Sequence, residues 1–124
     1  MTEQQEHIKI CEYIKTNYPS VIFTSESSGI RLTMNQARVL KKMRSNSGLP
    51  DLMIFEPRKG YNGLFLEIKK EGTSIYKKDG DFRADEHIAK QKQVLINLRN
   101  RGYFAEFVVG FQDAKPIIDF YFSK

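Results

Sequence analysis

The chain has 124 residues, of which 40% are hydrophobic, which predicts a single domain over residues 1–124 with one modest core. No stretch is long and apolar enough to cross a membrane, and the polar, acidic start is unlike a secretory signal. The only cysteine, Cys11, excludes an internal disulfide and a cysteine-based zinc site, and it fits a reducing cytoplasm. The net charge of +5 favours an anionic partner, of which nucleic acid is the commonest.

Helix and strand patterns follow one another in the order helix, strand, helix, strand, strand, helix, strand, helix. We predict helices over 2–17, 35–43 and 86–101, strands over 21–24, 51–55, 63–69 and 104–109, and a last short helix capped by Asp113 with Pro116 early in it. The polar segments 25–29 and 71–85 predict loops. The helix between the last two strands is a crossover, so we expect an α/β fold, a mixed sheet with helices on both faces.

The segment Gly63–Lys69 carries the most informative pattern of the chain. Its alternation places three aliphatic side chains on one face of a strand, and Glu67 and Lys69 together on the other face. An earlier apolar run opens with Asp51, and a glycine-containing turn separates the two runs. A hairpin with this turn would bring Asp51 close to Glu67.

Two carboxylates and a lysine in this arrangement suit hydrolysis of a phosphodiester. Asp51 and Glu67 would hold a hard divalent cation, and Lys69 would serve the attacking water or the developing negative charge. The alternative is that the Glu-x-Lys pattern only lines a solvated strand face and supports solubility.

Basic residues concentrate around the proposed carboxylates, as phosphate contacts should flank a cleavage site. The clusters are Arg38, Lys41, Lys42 and Arg44; Lys69 and Lys70; Lys77 and Lys78; and Lys90, Lys92, Arg99 and Arg101.

Two polar residues interrupt apolar stripes of the predicted helices. Gln91 lies in the stripe of the third helix, and a buried glutamine costs about 1–3 kcal/mol unless it finds hydrogen-bond partners. It either satisfies a backbone group or borders the site. Glu3 shares a face with Ile10 and Ile14, so it would point toward the sheet, with Glu6 nearer the edge of that face. The alternative is that Glu3 is a frayed terminal residue that favours the helix dipole.

Aromatic residues crowd the C-terminal quarter of the chain. They are Tyr103, Phe104, Phe107, Phe111, Phe120, Tyr121 and Phe122. One core of this size would not cover them all, so we expect an exposed apolar patch that favours a homodimer.

Short motifs recur in a specific order along nearly the whole chain. They are Thr2–Glu3, Tyr18–Pro19, Lys41, Ser47–Leu52, Gly63–Lys70, Gln91 ahead of Gly102–Tyr103, and Val108–Gly110 ahead of Asp113–Ala114. In this order and spacing they resemble the virus-type replication-repair nuclease (VRR-NUC) branch of the PD-(D/E)xK nucleases, in its stand-alone phage or prophage type.

The resemblance implies an αβββαβ core and a nuclease that depends on Mg²⁺ or Mn²⁺. By resemblance, Asp51 and Glu67 would bind the metal together with the backbone carbonyl of Ile68. Lys69 would be the catalytic lysine.

By the same resemblance, Glu3 and Gln91 match an acid and a glutamine that the family places on helices of the site. Lys41, Lys70 and Arg31 are candidate phosphate contacts. The implied partners are DNA, branched or structured, and a second copy of the chain, with no membrane involved. A four-way junction resolvase and a non-cleaving DNA-binding module on a nuclease fold remain alternatives.

Three departures from the family pattern concern substrate preference. Segment 27–29 replaces an Asn-Gly-Gly-like turn, His7 replaces a frequent glutamine, and the loop over 71–85 is long.

Overall fold

The computed structural model describes residues 1–26, 30–70 and 86–124. Its elements are α1 (Glu3–Asn17), β1 (Phe23–Ser25), α2 (Met34–Lys42), β2 (Leu52–Ile54), β3 (Leu64–Lys69), α3 (Glu86–Arg99), β4 (Phe104–Val109) and α4 (Gly110–Phe122). This order confirms the predicted succession of helices and strands, with bounds that shift by a few residues. The loop predicted over 71–85 and most of the one predicted over 25–29 lie outside the described residues.

The first two helices begin at side-chain caps that the sequence carries locally. The side chains of Thr2 and Thr33 each accept a hydrogen bond from the backbone N–H of the glutamine three residues ahead, and the side chain of that glutamine accepts one from the threonine backbone N–H. Such capping boxes satisfy amide groups that a helix start leaves without partners.

The four strands form one mixed sheet in the order β1-β2-β3-β4. The pairs β1–β2 and β2–β3 are antiparallel, and β3–β4 is parallel because α3 carries the chain back across the sheet. The predicted parallel pair and the predicted fold class are therefore confirmed.

The hairpin between β2 and β3 sets the register that matters for function. Lys59 and Gly60 both have positive φ values, 52° and 82°, in a tight turn closed by mutual backbone hydrogen bonds of Arg58 and Tyr61. In this register Leu52 pairs with Leu66. Asp51, just before β2, therefore lies beside Glu67 of β3.

Helices cover both faces of the sheet, and all six residues of β3 are buried. The aliphatic residues at 64, 66 and 68 join the core formed with α1 and α4, whereas Phe65 joins a second cluster with Ile88 and Leu95 of α3. The predicted alternation is confirmed, and the solvated-face alternative for β3 is wrong because α3 covers that face.

The last helix differs from its prediction. It begins at Gly110 rather than near Asp113, so Pro116 lies in its middle. Two carboxylates stabilise the earlier start: Asp113 accepts from the Val109 amide at 2.8 Å, and Glu6 of α1 accepts from the Phe111 amide at 2.5 Å.

The exposed aromatic patch expected near the C-terminus is also wrong. Of the seven aromatic residues, only Phe120 is exposed, because Tyr121 and Phe122 turn into the main core and the others are at least partly buried. The Tyr121 hydroxyl donates to the Glu56 carbonyl at 2.5 Å, which satisfies it inside this core.

In the part of the chain that the structure describes, no helix has the length and apolar character that a membrane span requires.

Candidate nuclease active site

Asp51 and Glu67 meet at the end of the β2–β3 hairpin. Asp51 follows the fully buried Pro50, and its carboxylate accepts a hydrogen bond from the Ile68 amide at 2.8 Å. The pairing of Leu52 with Leu66 places Glu67 beside Asp51. The sequence prediction that the hairpin joins these two acids is thus confirmed in geometry.

Burial is the main influence on the protonation of this pair. It raises the pKa of Glu67 far above its usual range, and the hydrogen bond and negative charge of Asp51 raise it further. The ammonium of Lys69 acts in the opposite direction, and the carboxylate of Glu3 adds a smaller upward push. Without a cation, Glu67 therefore keeps its proton at neutral pH.

Two buried side-chain oxygen atoms have no hydrogen-bond partner among the described residues. They are Oε2 of Glu67 and Oε1 of Gln91. A buried polar atom without a partner is costly, and such atoms mark places where an ion, a water or a substrate group binds.

The donors present fit a hard divalent cation. Asp51 and the backbone of Ile68 line the cleft, and Glu67 lies beside Asp51. All three offer oxygen atoms, which such a cation prefers. Across residues 1–26, 30–70 and 86–124, no three side chains of His, Cys, Asp or Glu group closely enough to enclose a metal ion.

Lys69 ends β3 on the same strand face as Glu67. Its side chain is buried to 7% exposure, and its backbone pairs with Val109 of β4 in the parallel ladder. The pairing with β2 ends at Leu66, so β4 alone holds the backbone of this lysine in the sheet.

Gln91 is buried in α3, as predicted, at 5% exposure. Its amide nitrogen contacts Nε2 of His87 at 3.2 Å, while its amide oxygen stays without a partner among the described residues. The loop ahead of Asp51 packs directly on this helix. A Cβ on Gly48, whose φ is +76°, would lie 3.4 Å from the backbone nitrogen of Gln91. A Cβ there would make ordinary van der Waals contact with α3, so the positive φ, which side chains rarely adopt, is what favours glycine at this position.

The two acids of α1 exchange their expected places. Glu6 is the buried one, at 2% exposure, and its carboxylate binds the start of α4. Glu3 is exposed rather than turned into the sheet, and it lines a cleft of about 440 Å³ together with Asp51 and Ile68. Of the two candidates for a helical acid, Glu3 is therefore the one that faces the site.

The same cleft contains His7, already noted as a departure from the family pattern, and Ser25, which the sequence did not predict there. Nε2 of His7 lies 2.9 Å from the Ser25 hydroxyl. Burial lowers the pKa of His7, and the nearby charge of Asp51 partly opposes this. The spacing of His7 four residues after Glu3 was a usable signal, because such residues share a helix face.

The sequence patterns also did not reveal an ion pair between Glu26 and Arg44. The Glu26 amide donates to the Asp51 carbonyl at 2.8 Å, and its carboxylate binds the Arg44 guanidinium. The three candidate phosphate contacts, Lys41, Lys70 and Arg31, are all exposed.

A mixed four-stranded sheet with an Asp and a Glu-x-Lys at one end of its antiparallel hairpin defines the class of PD-(D/E)xK nuclease folds. The VRR-NUC domain model matches residues 2–112, so the chain belongs to the VRR-NUC family, whose nuclease fold processes DNA. None of the curated proteins compared with the chain matches it.

Solved structures agree on the fold. A chain described as a VRR_NUC domain protein matches with a TM-score of 0.70 and 24% identity over 98% of this chain and 88% of that one. A second, described as a VRR_NUC domain, matches with a TM-score of 0.53 and 22% identity over 98% of this chain and 100% of that one.

Proposed function

We propose that this protein is a nuclease that depends on Mg²⁺ or Mn²⁺ and hydrolyses phosphodiester bonds in DNA, with branched or structured DNA as its substrate. The observation that carries the proposal is the hairpin that brings Asp51 beside the buried Glu67, whose Oε2 has no partner among the described residues, with Lys69 on the same strand face as Glu67. We place this activity in the cytoplasm, where a free thiol such as that of Cys11 stays reduced.

Asp51, Glu67 and the Ile68 carbonyl would hold the metal. A bound divalent ion supplies an acidified water and neutralises charge on the phosphate. Glu67 must lose its proton to take part, because a metal ligand is a deprotonated carboxylate. Asp51 keeps its orientation through the Ile68 amide, which binds one of its two carboxylate oxygens.

Lys69 would orient the attacking water or stabilise the negative charge that develops on the phosphate. Gln91 offers its unpartnered amide oxygen to Lys69 or to a water, and so holds one of them in position. Glu3, at the cleft, would extend the acidic surface toward the metal. Each of these groups stands on a helix or strand, which keeps the site rigid.

The test is cleavage of a panel of linear and branched DNAs with Mg²⁺ and with Mn²⁺. Asp51→Asn, Glu67→Gln and Lys69→Ala should each lower cleavage by at least a hundredfold, while the far-ultraviolet circular dichroism stays that of the parent. Full activity of Glu67→Gln with Mg²⁺ contradicts the proposal. Binding without cleavage by the parent would favour the non-cleaving module.

Branched DNA has several duplex segments that meet at one point, and a homodimer would present two binding sites to them. Exposed apolar side chains outside the site, Ile22 and Phe55, support such an association. Paired cuts on a four-way junction would identify the protein as a resolvase, because symmetric cuts need two sites related by a two-fold axis.

A further inference from the structure

The net positive charge of the chain is concentrated in one short segment. Residues 30–50 contain five basic residues and no Asp or Glu: Arg31, Arg38, Lys41, Lys42 and Arg44. The chain as a whole has 20 Lys and Arg and 15 Asp and Glu, so the other fifteen basic residues are balanced by the fifteen acids. This one segment therefore accounts for the whole net charge of +5.

Most of this segment is exposed to solvent. We call residues 30–44 the basic arm. Helix α2 forms most of it, and none of the nine residues of this helix is buried. Arg38, Lys41 and Lys42 lie within about 120° of one another around the helix axis, at 100° per residue, and all three are exposed. The basic arm therefore presents a cationic face to solvent.

An ion pair ties the end of this arm to the active site. Arg44 binds Glu26, and the two side chains are 20% and 6% exposed, which makes this pair less screened than a surface pair. Glu26 in turn donates its backbone amide to the carbonyl of Asp51. Arg44 is thus connected through one residue to a proposed metal ligand.

We propose that the basic arm binds the phosphate backbone of one duplex arm of the DNA, and that the pair of Arg44 and Glu26 keeps it in register with Asp51. The identity of the ligand as DNA rests on the proposed function. The chemical argument is charge complementarity: an exposed helix whose charges are all positive, beside a site for phosphodiesters, fits a polyanion. In this role Arg44 and Glu26 are positioning residues, which determine where along the strand the cut falls.

The first experiment measures binding apart from cleavage. Fluorescence anisotropy of a labelled branched duplex is followed across salt concentrations, with Asp51→Asn as the parent in EDTA. Adding Arg38→Gln, Lys41→Gln and Lys42→Gln should weaken binding at least tenfold and reduce the log–log salt slope by about 2–3, since each lost phosphate contact removes about 0.9.

The matched control removes the same charge elsewhere, at the exposed residues Lys9, Lys59 and Lys124. Equal losses in the two triple variants overturn the basic arm as the binding element and leave the proposed function standing. A parent that binds no DNA overturns both.

The second experiment tests register on end-labelled DNA with the otherwise unaltered enzyme. Glu26→Gln should spread the cut over neighbouring nucleotides, whereas Glu26→Asp, which keeps the charge, should retain a single position. A merely structural ion pair would change melting temperature without changing the cut position. Identical cut positions in Glu26→Gln and the parent overturn the positioning role.

The apolar side of α2 allows one competing occupant, a second copy of the chain. Val39 and Met43 are 57% and 74% exposed on the side away from the cationic face. The double variant Val39→Ser with Met43→Gln tests this alternative. The basic arm is a subunit interface, and the proposal is overturned, if two results occur together. The double variant converts a dimer to a monomer that no longer binds DNA, and the two triple charge variants bind DNA equally well.

Discussion

At the scale of single residues, Glu67 is the group whose environment conflicts most with its charge. The residue is 2% exposed, the negative charge of Asp51 adds to the rise in its pKa, and one of its carboxyl oxygens has no partner among the described residues. Such a residue lowers the stability of the metal-free fold, and natural sequences retain this kind of conflict where function requires it. The same reasoning extends to Gln91, the other residue with an unpartnered buried oxygen.

Glu67→Gln should stabilise the metal-free protein, and more so at higher pH. The folded-state pKa of Glu67 lies above its unfolded value of about 4.3, so the stability it contributes is present below that pH and is lost as pH rises toward the folded pKa. Glutamine does not titrate and avoids this loss. Thermal unfolding in EDTA at pH 5 and pH 8 measures the effect, and we expect a gain of several degrees at pH 8 and less at pH 5. A lower melting temperature than the parent at pH 8 would contradict the raised pKa.

Gln91→Leu should leave the fold intact or stabilise it while cleavage falls at least tenfold. The leucine removes a buried amide oxygen that costs about 1–3 kcal/mol when it lacks a partner. The matched control is Gln93→Leu, the same change at an exposed position two residues along α3, which should alter neither property. Melting temperature is measured beside turnover; a destabilised Gln91→Leu with normal turnover would make Gln91 a structural residue.

At the scale of elements, the acids of α1 separate a structural role from a functional one. Glu6 caps the start of α4 from a buried position, whereas Glu3 lines the cleft from the exposed end of the same helix. Capping a helix end with a carboxylate contributes about 1 kcal/mol, and the contribution is larger when the partner amide is buried.

Glu6→Gln should lower the melting temperature by several degrees and change turnover only in proportion to the folded fraction. Glu3→Gln should do the reverse, with an unchanged melting temperature and a turnover reduced at least fivefold. Each variant is the control for the other, because both replace a glutamate on α1 with its neutral isostere. Equal turnover of Glu3→Gln and the parent would remove Glu3 from the site.

The contrast between these acids shows how far the sequence predicts the structure. Period-two alternation placed Glu67 and Lys69 on one face of β3 correctly, because apolar and charged residues differ strongly there. Helical periodicity assigned Glu3 to the buried face and Glu6 to its edge, which is the reverse of their burial. The partner that decides the matter, the Phe111 amide, belongs to another helix, and no local pattern reveals it.

The same limit explains the other differences. The start of α4 depends on Glu6, and the pair of Glu26 and Arg44 joins two separate segments of the chain. Local capping signals such as Thr2, by contrast, predicted the start of α1 well. The site residues that could be predicted are therefore those whose neighbours lie on the same strand, hairpin or helix face.

At the scale of the whole molecule, the sheet has an open edge. Strand β1 is the outer strand, only three residues long, and the exposed Ile22 and Phe55 lie at its start, joined by a backbone hydrogen bond. Their side chains are 72% and 51% exposed. Exposed edges with apolar side chains favour association of chains, and a two-fold arrangement would use the same edge in both copies.

We therefore predict a homodimer that associates through this edge and binds branched duplexes more tightly than linear ones. Light scattering at micromolar concentration should give twice the chain mass of 14.5 kDa. Ile22→Lys with Phe55→Lys should give a monomer, because two lysines at a self-complementary contact bring like charges together. The control is Phe120→Lys, a change at a comparably exposed aromatic residue on α4, which should leave the dimer intact. A strictly monomeric parent that prefers single-ended flaps would defeat the dimer, and the cleavage chemistry of Asp51, Glu67 and Lys69 would stand, since every group in it comes from one chain.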